Sequence, residues 1–378
     1  MDLDSYLKSK GNEYAPFCPD RAKNIYNKLK IHLQLPRTII HIIGTNGKGS
    51  TGRFITLGLE QHNCKVLHFT SPHLFDFNER FYKNGSCVSD TQLEQAHAFL
   101  QQFDYIQEAS YFEYATFLAF VLACDCEFLV LEAGLGGEFD STNVVDSTLS
   151  VFTPISYDHQ EILGKSIQEI ASTKLRAMSK CNVIAPQCFE EVNHIARTIA
   201  KERNASLVFV SEKINDNNLL KYAQKHHLAP FLTQNLNVAK HTLALLDKEI
   251  DFDRLSGFNL LARAWQLEPN ILVDVGHNEA CAREILKIIG KKQVNLVYNS
   301  FFQKDVVKIL QILKPIIKKL LILDVVNDRI LPKDQLIAIC RELEIDWSDF
   351  RGVDADSEYV VFGSFSVVKE FLERKNAR

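Results

Sequence analysis

Residues 38–51 constrain this chain more than any other stretch. Thr38-Ile39-Ile40-His41-Ile42-Ile43 is a short, β-branched, mostly apolar run that reads as a strand. It leads directly into Gly44-Thr45-Asn46-Gly47-Lys48-Gly49-Ser50-Thr51, and a helical pattern follows from about Ser50 to His62. Three glycines let backbone N–H groups curl around an anion, and the helix N-terminus adds partial positive charge. Lys48 supplies a point charge for outer phosphates, and Ser50 or Thr51 can cap the helix or approach a metal. Two residues, not the four of the common phosphate loop, separate Gly44 from Gly47.

The rest of the chain repeats the alternation. Strands are expected at 65–69, 128–131, 149–155, 182–185 and 207–210, with helices at 90–103, 113–123, 167–178, 190–203 and 235–246. A second series has strands at 271–273, 294–298, 320–325 and 359–362, with helices at 279–289, 305–313, 332–343 and 365–374. Alternating strands and helices imply an α/β protein with mostly parallel sheets. We expect a P-loop-type, mostly parallel sheet in a first domain over residues 1–255. A hinge would cover 256–266, and a smaller C-terminal α/β, Rossmann-like domain 267–378. The 378 residues suit two domains of roughly 100–200 each.

Composition excludes several classes. Lys and Arg total 43 against 47 Asp and Glu, a net charge of −4, so neither nucleic acid nor an anionic membrane is an expected partner. No run of about 18 apolar residues is present to span a bilayer. The start, Met-Asp-Leu-Asp-Ser-Tyr, lacks the pattern of a secretory signal. Nine cysteines, odd in number and scattered, contain no Cys-x2-Cys pair, so reduced thiols and a cytoplasmic location are expected.

Parallel sheets bind ligands at the carboxyl ends of their strands. Those ends carry Thr70-Ser71-Pro72-His73, Glu132-Ala133-Gly134-Leu135-Gly136-Gly137 and Ser156-Tyr157-Asp158-His159. Glu132 follows four apolar residues, and a carboxylate at a buried strand end needs a partner. That partner is either a cation bound to phosphates or a structural hydrogen bond or ion pair. His159 reads as a ligand or as a satisfied loop histidine. Ser71 alone marks only a turn.

Taken together, these motifs resemble the folylpolyglutamate synthase/dihydrofolate synthase family of the Mur ligase superfamily. The resemblance is carried by residues 41–51, Thr70-Ser71-Pro72-His73-Leu74, Phe77-Asn78-Glu79-Arg80, Phe112-Glu113-x-x-Thr116 and Leu131–Gly137. It continues through Asp140-Ser141-Thr142-Asn143-Val144-Val145, Asp158-His159, Gln234-x-x-Asn237-x-Ala239, Asp274-Val275-Gly276-His277-Asn278, Lys304-Asp305 and Phe362-Gly363-Ser364-Phe365.

The resemblance implies an ATP-dependent amide ligase that adds L-glutamate to dihydropteroate or reduced folates through an acyl phosphate. It implies ATP on Gly44, Thr45, Asn46, Gly47, Lys48, Gly49 and Ser50, with Asn237, Arg263, Asp274 and His277 as further ATP-facing groups. It implies magnesium, two ions, with Ser71, Glu132 and His159 as ligands. Lys174 would be carbamylated and would act in catalysis with Lys48 and His159. The pterin-bearing substrate is expected near Phe77, Asn78, Glu79, Arg80, Asp140 and Ser141, and the protein is expected to be a monomer. The chain departs from the family with Lys174-Leu175-Arg176-Ala177 for Lys-Ala-Gly-Ile, Leu261-Ala262-Arg263 for Pro-Gly-Arg, and Glu279 for a proline. Two other readings compete. A cell-wall Mur ligase carries a nucleotide-sugar domain before its phosphate loop, whereas 43 residues precede Gly44 here. A nucleotide-binding protein without ligase activity would lack Glu132, His159 or Lys174.

Overall fold

The strand before the glycine loop, β1 (Thr38–Ile43), is buried over all but its first residue and lies inside an eight-stranded sheet. The computed structural model describes residues 1–11 and 18–376. They form two units: Met1–Leu228 with Leu232–Phe258, and Ala229–Phe231 with Asn259–Arg378.

In the first unit the remaining strands are β2 (Val66–Phe69), β3 (Phe81–Lys83), β4 (Ser86–Cys87), β5 (Phe128–Glu132), β6 (Leu149–Phe152), β7 (Cys181–Ile184) and β8 (Ser206–Phe209). The order across the sheet is β4-β3-β2-β5-β1-β6-β7-β8. From β2 to β8 the strands are parallel; β3 and β4 form an antiparallel edge. Period-2 alternation sorts the side chains. Ile40, Ile42 and Val130 pack with Phe54 and Leu57 of helix Lys48–Glu60 and Leu236 of helix Pro230–Ala244. Ile39, Leu129 and Leu131 pack on the other face with Tyr114, Phe117 and Leu118 of helix Tyr111–Leu122. Cover on both faces explains why these strands read as continuous apolar runs. In β1 the buried polar residue is His41, at 1% exposure. The chain runs from β1 out to β2, returns to β5 beside β1, then crosses to β6. The loops after β1, β5 and β6 therefore open on one edge.

The second unit holds β9 (Trp265–Glu268), β10 (Ile271–Val273), β11 (Val294–Tyr298), β12 (Ile317–Ile322), β13 (Trp347–Asp349) and β14 (Tyr359–Phe362). Their order is β13-β12-β11-β14-β10-β9, parallel except for β9. Leu296, Tyr298, Leu320, Val360 and Phe362 form its core with helices Glu279–Ile289, Val306–Leu313 and Lys333–Glu342. Two mostly parallel α/β sheets, one larger, are the expected fold class. No helix among the described residues is long and apolar enough to cross a membrane.

Some elements differ from the expectation. The helix after the loop begins at Lys48, because Gly47 takes φ 84° and serves as its N-cap. Ser50 and Thr51 thus lie inside the first turn and do not cap it. The edge hairpin β3–β4 was not expected from the pattern, although Asn84-Gly85, with φ 49° and 94°, is a strong hairpin signal. Helix Asn217–Lys225 was also missed; Asp216 caps it by accepting from the amides of Asn218 and Leu219. The helix expected from Asn235 begins at Pro230, whose fixed φ suits a first helical position.

Candidate active site

The glycine loop is stapled to the segment that follows β6. The amides of Thr45 and Asn46 donate to the Pro154 carbonyl at 3.0 and 3.3 Å. The Thr45 hydroxyl donates to the Ser156 carbonyl at 3.1 Å and accepts from the Ser156 amide at 3.0 Å. At Gly44 an added Cβ would lie 1.9 Å from Thr153 Oγ1, so the close approach requires glycine. First-turn amides of a helix have no intrahelical acceptor, so those of Lys48, Gly49 and Ser50 are available to whatever binds the loop.

Lys48 curls back over this loop. Its Nζ donates to the Thr45 carbonyl at 3.3 Å and lies 3.9 Å from Glu132 Oε1. Glu132 is the last residue of β5 and is 4% exposed. Its other oxygen accepts from the Thr70 hydroxyl and, at 3.2 Å, from the Ser71 amide. The structure therefore brings Lys48, Ser71 and Glu132 together. His159 is placed on the loop after β6 with φ 49°, and its Nδ1 lies 3.5 Å from Glu161 Oε1. Among the described residues no group of three or more His, Cys, Asp or Glu side chains could hold a metal ion. The donors at Glu132 and Ser71 are carboxylate and hydroxyl oxygens, the type a hard divalent cation takes.

Lys174 is buried, at 5% exposure, on helix Ile167–Leu175, whereas the neighbouring side chain of Arg176 is exposed. Its Nζ donates to the Gly44 carbonyl at 2.9 Å. Burial first, and then the charge of Lys48, pull its pKa down to about 7; Asp158 and Asp140 oppose the shift. The departure at Leu175-Arg176 costs no strain. Leu175 is a core residue, and Arg176 has φ −67°, which any residue adopts. Gly137 packs backbone to backbone on this lysine: a Cβ there would lie 2.7 Å from the Lys174 carbonyl oxygen and 3.0 Å from its Cα.

The residues expected near the substrate are held internally. The Glu79 carboxylate accepts from the amides of Leu74, Phe75 and Asp76 at 2.7, 2.8 and 3.0 Å. Asn78 donates to the Val88 carbonyl and to Asp90. Arg80 is fully buried and donates to His73 Nδ1 at 2.8 Å. Phe77 presents its ring beside Tyr111, centroids 6.0 Å apart. Asp140 accepts from the Leu135 amide at 2.7 Å and from the Thr142 amide and hydroxyl at 2.9 and 2.5 Å. Ser141 Oγ lies 2.9 Å from Thr116 Oγ1.

Asn237, also in the first unit, is buried, and its Nδ2 reaches the Ser211 carbonyl at 3.5 Å. In the second unit Asp274 accepts from the Ala264 and Gly276 amides, both at 2.7 Å. Burial pushes its carboxyl up, against those bonds and the Arg263 charge. Arg263 stacks its guanidinium 4.8 Å from the Phe365 ring centroid. His277 Nδ1 lies 3.2 Å from the Val275 carbonyl.

Sequence reasoning passed over three residues here, Thr70, His41 and Asn235. Thr70 was visible beside Ser71, but a threonine in a turn carries little signal. His41 and Thr142 are joined at 2.8 Å through the histidine Nε2; a histidine between isoleucines in mid-strand was the clue. Asn235 Oδ1 would lie 2.9 Å from a Cβ at Gly47, and only the folded chain brings those two together.

The Mur ligase middle domain family matches residues 42–246. A curated relative, the dihydrofolate synthase/folylpolyglutamate synthase of Bacillus subtilis, is 31% identical over 294 residues, 68% of this chain and 68% of that one. The crystal structure of Helicobacter pylori folylpolyglutamate synthetase is 44% identical, with TM-score 0.82 over 100% of this chain and 98% of that one. The bifunctional folylpolyglutamate synthase/dihydrofolate synthase of Yersinia pestis, complexed with AMPPNP and Mn ion, shares the fold: TM-score 0.82 at 22% identity, covering 100% and 98%.

Proposed function

The chain belongs to the folylpolyglutamate synthase/dihydrofolate synthase family of Mur ligases, and on that premise we propose that it joins L-glutamate to dihydropteroate, to reduced folates, or to both, at the expense of ATP. The observation that carries the reading is the meeting of Lys48, Glu132, Ser71 and Lys174 on the glycine loop at one sheet edge.

A carboxylate resists attack by an amine, so it must be activated. One carboxylate oxygen of the pteroate or folate attacks the γ-phosphorus of ATP, and the bond to ADP breaks. The amine of L-glutamate then adds to the acyl carbon and loses a proton, and phosphate leaves with the electrons of the carbon–oxygen bond. The loop amides hold the nucleotide phosphates, and the Lys48 ammonium stabilises charge on the group in flight. Glu132, Ser71 and His159 would hold a magnesium ion, which when bound supplies further neutralisation of phosphate charge. Asn237, Arg263, Asp274 and His277 are the proposed further ATP-facing groups, and Phe77 offers a ring face to the pterin-bearing substrate.

Lys174 fits a carbamate. With its pKa near 7, a sizeable fraction is neutral amine at neutral pH. That nitrogen adds to the carbon of carbon dioxide and releases a proton, so a buried cation becomes an anion beside Lys48.

An ADP-release assay tests the reading. ADP should form only with ATP, L-glutamate and dihydropteroate or a reduced folate together. ADP release driven by a UDP-muramyl substrate, with neither pteroate nor folate active, contradicts it.

A further inference from the structure

His41, Thr142 and Asp140 form a buried hydrogen-bond chain whose far end is the loop packed on Lys174. His41 Nε2 lies 2.8 Å from Thr142 Oγ1, and that hydroxyl is 2.5 Å from Asp140 Oδ1. Asp140 closes the loop on itself. Its Oδ2 accepts from the Leu135 amide, and its own amide donates to the Gly137 carbonyl at 3.1 Å. Gly137 lies against the Lys174 backbone, and the next amide, Glu138, donates to the Thr173 carbonyl at 3.0 Å.

The donors fix the direction of the chain. Asp140 receives two backbone N–H groups, which can only donate, so it is suited to be the anionic acceptor of the Thr142 hydroxyl as well. Thr142 Oγ1 then accepts from His41, which must carry its proton on Nε2. His41 Nδ1 is buried without a partner. An unpartnered ring acceptor costs less than an unpartnered buried N–H, which the opposite tautomer would create.

We propose that His41 and Thr142 are positioning residues, which act through Asp140 to hold the 135–138 loop against Lys174 rather than by touching substrate. The proposal rests on the ligase reading for what Lys174 does, but its geometry can be tested without turnover. Burial that keeps His41 neutral, with its pKa down to about 3, fits a fixed tautomer.

Nitrogen-15 NMR of the histidine rings reads the chain directly in the parent protein. His41 should be neutral with the proton on Nε2 at pH 7; a proton on Nδ1 overturns the proposal. Kinetics read its consequence. Thr142→Val should lower kcat for glutamate ligation by roughly tenfold to a hundredfold. It should leave the ADP dissociation constant and the KM for ATP unchanged, and Thr142→Ser should restore kcat. A folded Thr142→Val protein with parental kcat also overturns it. If the parent does not ligate glutamate at all, the ligase reading fails, while the tautomer result still decides the chain.

Discussion

Lys174 donates its ammonium to the carbonyl oxygen of Gly44 at 2.9 Å, across 130 residues of sequence. That bond ties the first residue of the glycine loop to helix Ile167–Leu175. It places a buried amine, its pKa pulled down to about 7, next to the loop proposed to bind phosphate.

The low pKa makes stability depend on pH in a defined direction. In carbon-dioxide-free buffer the unfolded chain binds a proton at Lys174 up to its ordinary pKa near 10.5, whereas the folded chain releases it near 7. Between those values the unfolded state holds more protons, so stability rises with pH. Below pH 7 the full cost of burying the charge is present. Lys174→Met should therefore be more stable than the parent at pH 7, by on the order of a few kcal/mol. The gap should close toward pH 10. Denaturant unfolding at pH 7 and pH 10 measures it, and a pH-independent gap would count against the buried amine.

Lys48 should matter to chemistry more than to folding. Glu132, its neighbour at 3.9 Å, keeps its bonds from Thr70 and Ser71 when Lys48 is removed. Lys48→Ala should keep a melting temperature close to the parent's and lose turnover by roughly a hundredfold to a thousandfold. Near-parental turnover in the folded variant would remove Lys48 from phosphoryl transfer.

Gly137→Ala tests the loop against Lys174. The new Cβ would meet backbone atoms at 2.7 and 3.0 Å, and backbone cannot swing aside as a long side chain can. Destabilisation of about 1–3 kcal/mol is expected, with a loss of kcat larger than that stability loss explains at assay temperature. Calorimetry and steady-state kinetics on one preparation separate the two.

His68 should weaken the fold in acid. It is fully buried, accepts from Arg53 Nε at 3.4 Å, and is held well below the usual histidine pKa by burial and by that guanidinium. As pH falls below 6.5 the unfolded state takes up a proton that the folded state refuses, so stability falls. His68→Gln keeps an acceptor for Arg53 and should flatten the slope between pH 6.5 and 4.5, by up to about 1.4 kcal/mol per pH unit. Equal slopes in the two proteins would show that His68 is not the group responsible.

The sequence made the first-unit sheet legible because buried parallel strands are continuous apolar runs, and because Gly44–Ser50 has few structural uses. Edge elements were harder. β3 and β9 are short and antiparallel, and β4 has two residues, so no periodicity marks them; only Asn84-Gly85 signals the hairpin. At the site, Lys48, Ser71 and Glu132 could be placed from strand ends alone, since topology carries those ends to one edge. The burial of Lys174 was out of reach. It depends on Gly137 and Gly44 approaching from two other loops, and sequence spacing carries no record of such packing. Asp140 and Glu79 read as binding groups because they are carboxylates in a family motif; that their oxygens also accept from backbone amides was not legible, since the partners come from the folded loops.

The proposed ligase reaction requires a pteroate or folate carboxylate to be activated by phosphoryl transfer before glutamate attacks. Substrate labelled with oxygen-18 in the reacting carboxylate tests it in one measurement, the mass of the inorganic phosphate released during glutamate-dependent turnover. One oxygen-18 atom is expected in each phosphate, carried over when the acyl–oxygen bond breaks, with the other retained in the amide. Unlabelled phosphate, or label recovered in AMP, would contradict it.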